Sequence, residues 1–305
     1  MKKIYVLSLF FCFVIASAQN DANNAQNEEN TEEKKEKKWK MGGNFSFLIN
    51  QASFNSEWLG GGTSNYSANV LVSYDINYKN EKVTWDTKLL GDYGITRTKD
   101  QDFNRKTNDR LEVNSVAGYQ MGDSKWSYST MLNFRTQFAN GYTFGEDELG
   151  NETRSLETEL MSPAFLQLGL GALWKESDDF RVNISPATGR LIFASSKFTS
   201  TPGYVDGDFF GLDEGETVRT EFGASLNAYG KFKLMNNITM ENFLNLFSNY
   251  MEDPQNVDID YTLNLVLKVN DYISTNFTFQ AIYDDNAVKG FQIRQVLGVG
   301  LAFQL

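Results

Sequence analysis

From Ser64 to Tyr78 the chain alternates without a break. Tyr66, Ala68, Val70, Val72, Tyr74, Ile76 and Tyr78 occupy the even positions, and Asn65, Ser67, Asn69, Leu71, Ser73, Asp75 and Asn77 the odd ones. Successive side chains of a strand point to opposite faces, so this stretch is a strand with one apolar and one largely polar face. It is at least twice as long as the usual strand of about 5–6 residues in a globular protein. The pattern recurs over Val83–Ile95, Trp126–Phe138, Ile259–Val269 and Ile293–Leu305. Twelve such segments start near residues 40, 64, 83, 108, 126, 163, 180, 217, 238, 258, 273 and 291. The seventh is interrupted by Pro186, a residue that strands accept only at edges, at their first position or at bulges.

Strands of about 11–13 residues rising ~3.3 Å each and tilted ~40° cross roughly 28–33 Å, the thickness of a bilayer's hydrocarbon core. Aromatics sit near the segment ends, among them Trp85, Tyr119, Trp126, Trp174, Phe232, Tyr250 and Phe303, as interfacial girdles require. After the even-numbered segments the connections are short (Lys79–Lys82, Met121–Lys125, Glu176–Asp179, Lys233–Asn237, Asn270–Tyr272). After the odd-numbered ones they are mostly longer (Phe54–Thr63, Arg97–Thr107, Asn140–Ser162, Ala194–Glu216, Met251–Val257, Asp284–Gly290). A soluble β-sandwich would explain the alternation, but not the strand length, the loop asymmetry or the apolar outer face. The expected fold is all-β: a transmembrane antiparallel up-and-down β-barrel of about 12 strands, of the outer-membrane type, spanning residues 39–305, with both termini in the periplasm.

The N-terminal residues fit that setting. Lys2 and Lys3, an apolar run from Ile4 to Ile15, and Ala16-Ser17-Ala18 read as a signal peptide over residues 1–18, which implies secretion through the inner membrane of a Gram-negative cell. Residues 19–38 contain no aromatic or large aliphatic side chain and read as a disordered, charged periplasmic linker. Beyond residue 18 no run approaches the roughly 18 apolar residues of a membrane-spanning helix.

Composition removes whole classes of function. With 28 Lys+Arg against 39 Asp+Glu, a net charge of -11, the chain is a poor nucleic-acid binder. One Cys and no His exclude a disulfide framework, a Cys/His zinc site and any mechanism that needs imidazole. No G-x-S-x-G or S-x-x-K run is present, and Gly60-Gly61-Gly62 is followed by no Lys-Ser/Thr, so it reads as a turn at the membrane rim. The expectation is a non-enzyme without catalytic residues, cofactor or metal.

Trp39-Lys40-Met41-Gly42-Gly43 is echoed by Trp58-Leu59-Gly60-Gly61-Gly62, both fitting W-x-x-G-G, with Phe45, Phe47 and Ile49 alternating between them. The pair resembles an uncharacterised Bacteroidota family of outer-membrane β-barrel proteins that carries only a domain-of-unknown-function label. The resemblance implies location and fold and lends no catalytic residue. The C-terminal strand is similar to the aromatic-ended signal read by the barrel-assembly machinery, although it ends in Leu305 with its aromatic at Phe303.

The same parity places eight acidic and eight basic side chains inside the barrel. They are Asp75, Asp86, Asp92, Glu112, Glu221, Glu241, Asp258 and Asp260 against Lys88, Arg110, Arg135, Arg181, Arg219, Lys231, Lys268 and Arg294. Inward charges in a narrow barrel must be paired or hydrated. They are the candidate lining of a passive, porin-like channel or binding conduit for a small polar solute. The other reading is a closed barrel that engages a partner through its outer loops or its linker. The six outer connections hold 18 acidic and 7 basic residues and read as a solvated acidic surface; the alternative is weak binding of Ca²⁺ or of the divalent cations that bridge lipopolysaccharide phosphates. The run from Asp206 is not an EF-hand, because Thr217 stands where the bidentate Glu belongs. The expected partners are outer-membrane lipid and lipopolysaccharide, the assembly machinery and a small polar solute.

Overall fold

The structure is a computed structural model and describes residues 38–55 and 63–305. The proposed signal peptide, most of the proposed linker and the second W-x-x-G-G motif lie outside the described residues. Twelve strands form the wall: β1 (Trp39–Ala52), β2 (Asn65–Asn80), β3 (Val83–Thr98), β4 (Arg105–Gln120), β5 (Trp126–Thr136), β8 (Ala164–Ser177), β9 (Phe180–Phe193), β10 (Val218–Met235), β11 (Ile238–Asn249), β12 (Val257–Lys268), β13 (Ile273–Asp284) and β14 (Val288–Gln304). Each hydrogen-bonds its neighbour in chain order, and β14 returns to β1 through pairs such as Phe45↔Phe303 and Phe47↔Leu301. All of these pairings are antiparallel, so the sheet is a closed up-and-down barrel without an edge.

β5 shows how sequence becomes wall. Ser127, Ser129, Met131 and Asn133 are buried, while Trp126, Tyr128 and Thr130 between them are exposed. The outer face is apolar and uncovered, with Leu168, Leu170, Ile184, Phe222, Ile293, Leu297 and Val299 all exposed. Such a face is unstable in water and suits hydrocarbon.

All twelve anticipated segments are strands, and their starts fall within three residues of those read from the sequence. Two details differ. The longest connection folds back on itself as the hairpin β6 (Gly141–Glu146) and β7 (Glu152–Thr158), a separate two-stranded sheet. β14 starts at Val288, so the last outer connection shrinks to residues 285–287.

The proline in β9 is accommodated by a bulge. Ser185 pairs with Ser225, and Thr188 with Gly223, so Pro186 and Ala187 face a single residue of β10. On the other side the register slips between Leu170 and Ala172. Gly171 makes this possible: a Cβ there would lie 1.9 Å from the Ile184 carbonyl oxygen. The extra residue reverses the parity of the rest of the strand. Asn183 and Ser185 face inward before it, and Thr188, Arg190 and Ile192 after it.

Candidate functional site

Among the described residues, charged side chains converge in the lumen, and about half of its ion pairs join strands that are not neighbours. Lys88 on β3 lies 3.0 Å from Asp75 on the adjacent β2 and 3.6 Å from Glu241 on β11. In the ring order β3 and β11 are six strands apart among twelve, so the second contact spans the barrel from wall to wall. Arg110 on β4 likewise reaches Asp260 on β12, again six strands away, at 3.4 Å. Arg110 also pairs with Glu112, and Arg135 on β5 meets Asp260. Gln280 donates to the other oxygen of Asp260 at 3.1 Å. Three groups from three strands thus hold one carboxylate inside the lumen.

Further pairs brace the sides. Lys175 on β8 bonds Asp86 on β3 at 2.7 Å. Arg190 on β9 holds Glu221 on β10 and Asp258 on β12, and Arg219 meets the other oxygen of Glu221 at 2.9 Å. Arg294 on β14 lies 3.5 Å from Asp92 on β3, and Lys231 lies 3.3 Å from Glu241. Lys88 is only 2% exposed, Arg190 4% and Glu221 1%. Charges this deeply buried are tolerable only with partners, since desolvation costs several kcal/mol per ion.

Of the sixteen charges read from the sequence as inward, fourteen join ion pairs and Arg181 lines the chamber between the crossings. Lys268 shares their parity but ends β12 at the rim, where it is exposed and, among the described residues, joins no ion pair. Sequence reasoning missed Arg190 because the Pro186 bulge reverses parity; Pro186 itself was the available signal. It also missed Lys175, which continues the inward row of Gln167 and Leu173 close to the end of β8.

Cavities of about 70, 40 and 20 Å³ lie between the pairs. The first of these lies between the Lys88 and Arg110 crossings and is lined by Asn114, Asn133, Asn183, Asn227 and Asn245 together with Tyr229 and Phe243. Each admits a few water molecules and none a sugar-sized solute. The smallest adjoins Asp258 and Asp285, which with Asp284 form a carboxylate trio whose ligand-type oxygens lie within 4.8 Å of one another. Asp258 is already engaged by Arg190, and Asp284 accepts a hydrogen bond from the Asn286 N–H at 3.1 Å.

The outer mouth is covered by residues 194–217, which contain the single-turn helix α1 (Ser196–Thr199). Leu212, wholly buried, packs with Phe209 and Phe210 against Phe165 and Ile192 of the inner wall. Phe210 meets Phe165 edge-on at 5.8 Å, and Phe198 stacks on Phe209 at 5.1 Å. Gly211, at φ 76°, lets its carbonyl accept from Arg219; a Cβ there would collide with that guanidinium. The Tyr204 hydroxyl donates to the Leu212 carbonyl at 2.8 Å. Beside this cap, the β6–β7 hairpin is held by Arg105, which pairs with Glu152 and stacks on Phe144.

A family model described as "Protein of unknown function (DUF3078)" matches residues 49–142, from the end of β1 into β6. No curated protein matches the chain at a significant level. Among solved structures, the chain is similar to the translocator domain of the autotransporter NalP from Neisseria meningitidis, with 10% identity over 99% of each chain and a TM-score of 0.33. The β domain of the Bordetella autotransporter BrkA shares 12% identity over 88% of this chain and 99% of that one, at a TM-score of 0.35. The outer-membrane channel DcaP of Acinetobacter baumannii shares 8% over 88% and 97%, at 0.31. At these identities and TM-scores the likenesses transfer no function.

Proposed function

We propose that the chain is a non-enzymatic outer-membrane barrel whose polar lumen is a narrow conduit for a small polar solute, closed in the described conformation by ion pairs that cross it. The observation that carries this reading is the pair of crossings Lys88–Glu241 and Arg110–Asp260, joining opposite walls on either side of a hydrophilic chamber. A barrel with a purely structural interior could fill itself with apolar side chains at no desolvation cost. This lumen is instead lined with amides and charges, groups that exchange readily with water when the pairs part. The apolar outer wall supports a lipid setting, and the closing pairing of β14 with β1 supports delivery by the barrel-assembly machinery through the C-terminal strand. Near balance of sign inside the barrel argues against strong ion selectivity. The reading of residues 1–18 as a signal peptide supports export to the outer membrane of a Gram-negative cell.

A second reading, a closed barrel that meets a partner through its acidic outer loops, is favoured by the tightness of the chamber between the crossings, which is only about 70 Å³. Single-channel recording in planar bilayers separates the two. At about 1 M salt, where the Debye length is roughly 3 Å, the conduit reading expects small discrete conductance steps that grow in the double variant Lys88→Ala/Glu241→Ala. Silence from both proteins would sink the conduit and leave the closed barrel.

A further inference from the structure

One lumenal cation stands apart from the network. Arg181, near the start of β9, faces inward and lines the chamber of about 70 Å³. Among the described residues no carboxylate lies within 4.0 Å of it, and none accepts a hydrogen bond from its guanidinium. Among the described residues its guanidinium stacks on the ring of Tyr229, the residue paired with it on β10, whose centroid lies 4.5 Å from the guanidinium carbon. Stacking on an aromatic face orients a guanidinium and leaves its N–H edge free for a planar anion.

The charge around the chamber supports the same reading. Its lining holds the cations Lys88, Arg110 and Arg181 against the carboxylates Glu112 and Asp260. Glu112 and Asp260 are engaged by Arg110, Asp260 also by Arg135, and Lys88 is held by Asp75 and Glu241. The uncompensated charge is therefore that of Arg181. In the same wall the side-chain oxygen of Asn227 is buried without a hydrogen-bond partner, while its amide donates to Asn245 at 3.1 Å. A positive group oriented but unpaired, beside an unused acceptor, is arranged for a ligand that carries a carboxylate and a donor.

We propose that Arg181 is the carboxylate-binding subsite of the lumen, where a small carboxylate-bearing solute docks bidentately on the guanidinium while a donor on the same solute meets Asn227. This rests on the conduit reading above and names the chemistry of its solute. The chamber accommodates the carboxylate end alone, so the remainder of a larger solute enters only when a crossing pair opens.

The test is isothermal titration calorimetry of the detergent-folded protein with sodium acetate, and with choline chloride as the cationic control. Folding is checked by the heat-dependent shift in gel mobility. Acetate binds saturably and choline does not. Because charge-assisted hydrogen bonds are strong, Arg181→Gln weakens acetate binding by about tenfold or more. Tyr229→Phe keeps the stacking ring and the binding, whereas Tyr229→Leu weakens it. This second pair of variants decides the matter if Arg181→Gln does not fold. Absence of saturable acetate binding, equal affinity in Arg181→Gln, or equal affinity in Tyr229→Phe and Tyr229→Leu overturns the proposal. Conductance is read separately: channel steps without acetate binding remove the subsite and keep the conduit, and acetate binding in a silent protein keeps the subsite and removes the conduit.

Discussion

Ion pairs occur both in the lumen and at the rims of this barrel, and the two populations differ in kind. At the short-turn rim Lys125 and Glu176 are 58% and 44% exposed, and Lys40 faces Asp178 at 3.8 Å with both side chains in solvent. Inside, the side chains of Arg190 and Glu221 are 5% and 1% exposed, and each holds more than one partner. Coulomb attraction is weak in water and strong where water is excluded, but burial also makes any unpaired survivor costly. The rim pairs are ornaments of a hydrated surface. The lumenal ones are interdependent, so removing one member strands the others.

The sharpest way to break this contrast is Glu221→Ala, which leaves Arg190 without its main partner and frees one face of Arg219. A loss of about 3–5 kcal/mol is expected in reversible urea unfolding of the folded barrel. A loss comparable to that of a rim variant would show that water reaches the lumen freely. Leu212→Ala, which empties the seat of the outer cap, is expected to lower stability by about 2–3 kcal/mol and to raise protease cutting within residues 194–217. Unchanged cutting would mean that the cap does not depend on its apolar seat. Lys125→Ala, at the rim, is expected to cost less than about 1 kcal/mol and to leave conductance unaltered.

The smallest effect concerns pH. Asp178, in the turn between β8 and β9, is partly desolvated, which pushes its carboxyl up. The nearby ammonium groups of Lys175, Lys40 and Lys79 outweigh that and hold it below its ordinary value. Its contribution is therefore complete above the unfolded carboxylate pKa of about 4 and is lost as pH falls through the lower folded value. Asp178→Asn is expected to lower stability slightly at neutral pH, with the difference vanishing as pH falls through the folded value, so that the acid limb of the stability–pH curve is flatter. A loss of the same size persisting at low pH would assign Asp178 a role beyond its charge.

Much of the wall was legible before any coordinates, because a barrel strand is a local pattern: period two needs only neighbours in sequence, and β2, β3 and β5 follow it from end to end. The failures came where geometry stops being local. At Pro186 one inserted residue reverses the parity of everything after it in β9, and this concealed Arg190, one of the most deeply buried charges in the molecule. The hairpin β6–β7 escaped notice because its strands are only six and seven residues long, too short for Tyr142, Phe144 and Leu156 to set up a sustained period of two.

The alternation, together with the strand length and the short/long rhythm of the connections, therefore determined that the chain is an antiparallel barrel of about twelve strands, and which side of most strands faces inward, since side-chain direction in a strand follows from backbone geometry. It listed the lumenal charges but could not pair them. Lys88 with Glu241 and Arg110 with Asp260 are separated by about 150 residues in the chain and by the full width of the barrel in the ring order. Only closure of the sheet brings those walls face to face, and only then does it emerge that Arg181 lacks a carboxylate partner while its neighbours are paired. Charge balance is a property of composition; charge pairing is a property of the closed fold.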